Sequence, residues 1–212
     1  MKGNKLLDLF SGTGSVTKIA QDFGFEVTTL DLNVPTADIN IDILNWDYKN
    51  YHQGFDVIWA SPPCQFFSKL RYSNIGRNGM TRDTLDADML NLGVPLLRRT
   101  QEIIAFFRPR VFFIENPQTG RMKDFIANTP FFDVDYCMYG FDYRKRTRIW
   151  TNSTAPFSPR ICNGNCGNVV KGRHISQVNT RGGGRSKSSR YRIPDGLIYD
   201  LIHPILATEQ PI

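Results

Sequence analysis

Apolar and polar positions along the first two thirds of the chain follow two alternating periodicities. Short apolar runs at residues 5–10 (KLLDLF), 26–31 (EVTTLD), 55–60 (FDVIWA) and 111–115 (VFFIE) have the length and the β-branched or aromatic content of buried strands. Residues 15–23 and Val94–Phe107 instead carry helical spacing, the first ending at Gly24, a natural helix stop. Residues 134–138 and 148–151 read as closing strands. Strands alternating with helices predict an α/β fold with a mostly parallel sheet covered on both faces. In such sheets ligands bind beyond the carboxyl ends of the strands. From Asn152 the pattern lapses: residues 152–190 are polar and include RGGGRSKSSR, the composition of a flexible loop. Helical spacing returns over residues 195–206 through Leu197, Ile198, Leu201 and Ile202, predicting a last helix that packs back on the body. The chain thus divides into residues 1–151, 152–190 and 191–212, with no internal repeat.

Charge sharpens this division. The 212 residues hold 26 Lys and Arg against 20 Asp and Glu, a net charge of +6. No acidic residue lies between Asp142 and Asp195, yet 12 of the 26 basic ones do, leaving 14 basic against 20 acidic elsewhere. A strongly basic segment joined to an acidic body predicts two surfaces with different tasks. Hydrophobic residues at 41% and charged residues at 22% exclude wholesale disorder. No signal-peptide core and no membrane-length apolar run are present. Four scattered cysteines are too few for a disulfide scaffold, so a soluble protein of the cytoplasm with reduced thiols is expected.

Four motifs carry candidate chemistry, and each falls at a strand end. DLFSGTGS (residues 8–15) follows the first strand and opens a helix; its glycines let the backbone turn tightly against a nucleotide-like ligand. Asp31 ends the next strand, where a carboxylate can bind ribose hydroxyls, and Asp42 suits an adenine amino group. The alternative is an ordinary strand–helix turn. SPPCQFFS (residues 61–68) follows FDVIWA; two prolines stiffen the exit and fix Cys64, a potential nucleophile or else a small buried hydrophobe. Glu115-Asn116-Pro117 ends the most apolar strand, where burial is expected to raise the carboxyl pKa and suit it to handling protons; a salt bridge to Arg110 or Arg121 is the alternative. In RKRTR (residues 144–148), Arg144, Arg146 and Arg148 share one strand face, suited to anion binding or to holding Glu115 and a substrate, or else to a solvated edge.

These motifs, in this order, resemble the cytosine-5 DNA methyltransferases over residues 5–151, and more weakly over 191–203. The resemblance implies a Rossmann-like methyltransferase fold and methylation of cytosine carbon 5 in double-stranded DNA, with S-adenosylmethionine as methyl donor. It assigns Asp8, Phe10, Ser11, Gly12, Gly14, Asp31, Leu32, Asp42, Ile43 and Pro62 to the cofactor. Cys64 attacks carbon 6 of a flipped-out base, Glu115 contacts its N3 and amino group, and Arg146 helps hold both substrate and Glu115. Pro63, Gln65, Ser68, Asn116, Arg144 and Arg148 are assigned to the substrate, Gln65 near the space the base leaves. The family's mobile loop corresponds to residues 66–83, with Lys69, Arg71, Arg77 and Arg82.

The chain also departs from the family. Arg144 stands where a Gln is usual, the late arginine-bearing motif is not recognisable, and the closing element survives only as Tyr191-Arg192-Ile193-Pro194. About 40 residues separate Trp150 from Tyr191, short for a target-recognition region, although their Arg and Lys content suits phosphate contacts. That stretch contains Cys162, Cys166 and His174, a spacing compatible with a structural zinc knuckle whose fourth ligand is Cys137 or His203. The alternative is two free thiols. A monomer is the simplest state, with a partner subunit left open. Rival readings are an amino methyltransferase of adenine or cytosine, disfavoured because Cys64 replaces the expected aromatic, an RNA cytosine-5 methyltransferase, and an inactive nucleic-acid-binding relative.

Overall fold

The structure is a computed structural model that describes residues 4–176 and 190–207. Arg181 and Arg185, within the basic run singled out above, lie outside the described residues. The four apolar runs become β1 (Lys5–Leu9), β2 (Glu26–Leu30), β3 (Val57–Ala60) and β4 (Val111–Pro117). With β5 (Phe131–Asp135) and β6 (Arg146–Thr151) they form one sheet of order β2-β1-β3-β4-β6-β5. Only β6 runs against its neighbours, so five of the six strands point the same way.

Strand alternation decides which residues build which layer. Leu6, Val57, Trp59 and Phe113 face α1 (Ser15–Asp22) and the last helix, α4 (Asp195–Ala207), in one apolar cluster that includes Val16, Ala20, Leu197, Ile198 and Ile202. Leu7, Leu9, Ile58 and Ala60 point the other way, into a cluster with Trp46, Phe55 and Ile103 of α3 (Val94–Phe107). Both faces are therefore covered, and the buried runs are apolar apart from a few positions such as Asp8 on β1 and Glu115 and Asn116 on β4.

Two features differ from the expectation. The fifth strand lies over Phe131–Asp135 rather than 134–138, because Tyr136–Tyr139 tighten into a 3-10 turn closed by Gly140 at φ 98°. An unforeseen helix, α2 (Arg82–Asp88), starts at a Thr81 capping box and runs through a π-helical turn, Met89–Gly93, straight into α3. Gly93 is required there: a Cβ would lie 2.7 Å from that of Phe66 and 3.1 Å from the Phe67 ring. The π turn thus packs directly on the segment that follows Cys64.

Candidate active site

The glycine turn is built by unusual backbone angles. Phe10 leaves β1 at φ 62°, and its N–H and that of Ser11 both donate to the Leu30 carbonyl, at 2.8 and 3.2 Å. Gly12 (φ 51°) and Gly14 (φ 71°) occupy left-handed conformations that a side chain disfavours, and Gly14 begins α1. The Gly12 N–H donates to one Asp31 oxygen at 2.9 Å and the Asn33 N–H to the other at 2.7 Å. Asp31 is thereby pinned at the end of β2. Ile39 adds a parallel bridge beside Leu30, which brings round Asp42, whose carboxylate accepts from the Leu44 N–H at 2.9 Å. Asp8 is buried on β1; desolvation raises its pKa to about 7 against the opposing hydrogen bonds from Thr17.

Beyond β3, Pro62 and Pro63 lead into a short 3-10 turn, Cys64–Phe66. The buried Asn116 on β4 donates through Nδ2 to the Pro62 carbonyl at 2.9 Å and so ties this loop to the neighbouring strand. Burial pushes the Cys64 thiol above 9.0, and Glu115 adds to this, while the positive charges of Lys145 and Arg190 oppose it. Glu115 itself is buried and accepts from the Tyr136 hydroxyl at 2.9 Å; Lys145 Nζ lies 3.5 Å from the same oxygen. Neither arginine of the alternative reading holds Glu115: Arg121 pairs with Asp86 and Asp124, and Arg110 donates to the Ile205 carbonyl.

The arginines of RKRTR do not face Glu115, which corrects the expectation for Arg146. Arg146 pairs in a bidentate manner with the fully buried Asp135 (3.0 and 2.7 Å), Arg144 joins it at 3.2 Å, and Arg148 grips Asp133 (2.7 and 2.9 Å). The cause is register. Glu115 lies opposite Ile149, and directly opposed residues share a face, so the odd-numbered positions of β6 and the chain before it turn toward the carboxylate. Lys145 takes the place expected of Arg146. Its signal was present in RKRTR, but only the pairing of β4 with β6 shows which alternate residues point inward.

One cavity of about 850 Å³ joins the glycine turn to Cys64 and Glu115. Of the residues assigned above to the cofactor, Asp8, Phe10, Ser11, Gly12, Asp31, Leu32, Asp42, Ile43 and Pro62 line it; Gly14 shapes the turn from outside. Of those assigned to the substrate, Pro63 and Gln65 line it, whereas Ser68 caps the following 3-10 turn and Asn116, Arg144 and Arg148 make the internal contacts just described. Lys145, Asn91 and Leu92 of the π turn, and Tyr191 beside α4 are lining residues that had not been assigned a role. In the loop after Cys64, Arg71 is tied to Asp88 at 2.6 Å. Separately, the ligand atoms of Cys137, Cys162, Cys166 and His174 all lie within 4.8 Å of one another.

Comparison with known proteins shows the family. A family model described as C-5 cytosine-specific DNA methylase matches residues 5–124. A protein of Frog virus 3 (isolate Goorha), described as "Probable DNA (cytosine-5)-methyltransferase", is 46% identical over 213 residues, covering 93% of this chain and 98% of its own. Similar solved structures include one from E. coli described as a "putative DNA modification methyltransferase encoded within prophage", 17% identical with a TM-score of 0.47 over 76% of this chain and 52% of that one. A Spodoptera frugiperda DNMT2 mutant is 20% identical, with a TM-score of 0.48 over 74% of this chain and 53% of that one. The chain thus spans about half the length of those two solved chains. By the family match over more than half its length, and by its identity to the viral relative end to end, the protein belongs to the C-5 cytosine-specific DNA methylase family.

Proposed function

We propose that the protein transfers a methyl group from S-adenosylmethionine to carbon 5 of cytosine in double-stranded DNA, with Cys64 as covalent nucleophile. The observation that carries this reading is the shared cavity: a turn fit for a nucleoside, a cysteine and a buried carboxylate open into one space. Its donor set suits the cofactor, with Asp31 and Asp42 fixed by backbone N–H groups for polar recognition and Leu32, Ile43 and Pro62 as apolar wall. The cofactor supplies the electrophilic methyl group.

Everything else is asked of the chain. A cytosine ring is a poor methyl acceptor until a nucleophile adds at carbon 6 and pushes electron density to carbon 5. Cys64 provides that sulfur, but burial keeps its thiol protonated at neutral pH, so attack requires the proton to leave as the base docks. Glu115 is positioned by Tyr136 to hold the pyrimidine N3 and amino edge, and Lys145 supplies positive charge for the anion developing across sulfur, ring and carboxylate. Once carbon 5 carries the methyl group, its proton passes to water, the freed electron pair restores the carbon 5–carbon 6 double bond, and the sulfur–carbon 6 bond breaks to release Cys64 as thiolate. The target carbon is shielded in a stacked duplex, so the base must be extruded, with the exposed Gln65 at the cavity wall nearest Cys64 in sequence.

Residues 1–151 serve as the catalytic part in this reading, 152–190 as a short DNA-facing segment and 191–212 as a return to the catalytic part. No helix among the described residues is long and apolar enough to cross a membrane, and four cysteines without a disulfide suit the reducing cytoplasm.

The test is trapping. Incubated with cofactor and duplex containing 5-fluorocytosine, the protein should form a denaturant-stable adduct that Cys64→Ala abolishes. Methyl transfer that survives Cys64→Ala overturns the covalent mechanism; transfer to RNA but not to DNA overturns the substrate.

A further inference from the structure

We propose that Cys137, Cys162, Cys166 and His174 bind one structural zinc ion, and that this ion fastens the basic segment to the edge of the active site. Binding of the ion is independent of the methyl-transfer reading, and its consequence for the active site rests on that reading.

The geometry carries it. Bond lengths of ~2.3 Å to sulfur and ~2.0–2.1 Å to nitrogen at tetrahedral angles put a sulfur and a nitrogen about 3.6 Å apart. His174 Nε2 lies 3.5 Å from the Cys162 sulfur and 3.3 Å from that of Cys166. All four ligand atoms fall within 4.8 Å of one another, and none of the cysteines forms a disulfide. Three sulfurs and one imidazole complete a tetrahedron with no open position, the donor set of a structural rather than a catalytic site, and one that selects zinc over the hard cations.

The local backbone is organised to present these ligands. The Gly164 N–H donates to the Cys162 sulfur at 3.4 Å, and Gly164 and Gly167 take left-handed angles of 91° and 79° that curl the chain around both sulfurs. Two short strands, β7 (Val169–Val170) and β8 (Arg173–His174), pair across a turn at Lys171 and Gly172, both with positive φ. That hairpin exists to return His174 to Cys166; two residues per strand bury too little to hold themselves. Cys137 arrives from the 3-10 turn after β5, and supplies the ligand that the segment itself lacks. The other candidate, His203, is stacked on Tyr199 at 5.4 Å and is not part of the cluster.

The position gives the ion its consequence. Cys137 follows Tyr136, whose hydroxyl holds Glu115, and Asp135, whose carboxylate holds Arg146, Arg144 and the Cys162 N–H. One metal centre therefore locks the start of the recognition segment to the residues that orient the site.

Metal analysis of the full chain, purified without a His tag or chelator, should give about one zinc per chain. Cobalt substitution should give the visible spectrum of a tetrahedral thiolate-rich site. His174→Ala and Cys166→Ser, at partly exposed positions, should weaken zinc binding on the order of 100-fold or more, whereas His203→Ala retains full metal. Zinc well below one per chain, an octahedral cobalt spectrum, a disulfide among the three cysteines by mass spectrometry, or equal zinc affinity of His174→Ala and the parent protein in chelator competition each overturns the proposal.

Discussion

Lys145 Nζ lies 3.5 Å from Glu115 Oε1 and 4.7 Å from the centre of the Tyr136 ring, while its neighbour Arg146 points through the opposite face onto Asp135. One peptide bond thus separates a cation that faces the cavity from one that is paired with a buried carboxylate. The two side chains carry the same charge, and the sequence motif alone favours the arginine.

Their substitutions should separate accordingly. Lys145→Met should lower the rate of methyl transfer by about 10²–10³, with the cofactor KM held within roughly twofold, and Lys145→Arg should recover part of the loss. Arg146→Met removes a bidentate partner from a buried carboxylate that keeps Arg144 and the Cys162 N–H, at a cost of about 2–3 kcal/mol. That corresponds to a fall in Tm of roughly 4–12 °C in a chain of this size. Single-turnover kinetics and thermal melts on both variants check this. Loss of chemistry in Arg146→Met with chemistry retained in Lys145→Met reverses the assignment.

The same lysine acts on the Cys64 thiol. Desolvation raises the Cys64 thiol, and Lys145 is the largest influence opposing it. Alkylation of Cys64 by iodoacetamide, followed by peptide mass spectrometry, should be slow at neutral pH and climb at higher pH than for a free cysteine. In Lys145→Met the midpoint should move higher still. A midpoint in the parent protein below the free-cysteine value of about 8.5 would contradict the burial argument.

Much of this architecture is legible in the chain itself, for identifiable reasons. Leu6–Leu9 and Val57–Ala60 are buried on both faces, so their apolar character, broken only by Asp8, marks them as central parallel strands. The glycine turn and the Cys64 loop are local in sequence, so their residues converge on the cavity largely as expected. Arg146 and Cys137 were harder to read for opposite reasons. The face that Arg146 presents depends on the register of β6 against β4, across some thirty residues. Cys137 meets Cys162 only because the chain leaves β5 at Asp135 and turns, an event governed by a buried carboxylate that gathers two arginines and a distant N–H. Residues 89–93 escaped notice because a π turn has no period of its own; Gly93 was the one mark it left.

Asn116 illustrates a site residue that acts at one remove. Its Nδ2 donates to the Pro62 carbonyl, two residues before Cys64, from a side chain that is buried. Asn116→Leu is close in volume but cannot make this bond, leaving the carbonyl unpaired at a cost of about 1–3 kcal/mol. Cofactor affinity should change little in Asn116→Leu, while trapping by 5-fluorocytosine DNA slows at least tenfold because the Cys64 loop loses its tie to β4. Unchanged trapping in a folded Asn116→Leu protein would show that the prolines alone fix the loop.

Asp8 gives the fold a pH dependence of unusual sign. Desolvation raises its pKa from 3.8 to about 7, despite a 2.8 Å hydrogen bond from Thr17 Oγ1. Between those values the folded chain keeps a proton that the unfolded chain has released. Stability therefore falls as pH rises from 3.8 toward 7 and is constant above, the reverse of a salt-bridged aspartate. At 1.36 kcal/mol per pH unit the full effect is on the order of 4 kcal/mol. Asp8→Asn has no charge to desolvate and can still accept from Thr17, so its stability relative to the parent protein should grow across this window by that order. Urea unfolding of the two proteins at pH 5 and pH 8 should show about 3 kcal/mol of it, the part that falls between pH 5 and 7. A stability difference independent of pH would show that Asp8 is ionised throughout and that the cavity wall is wetter than its burial implies.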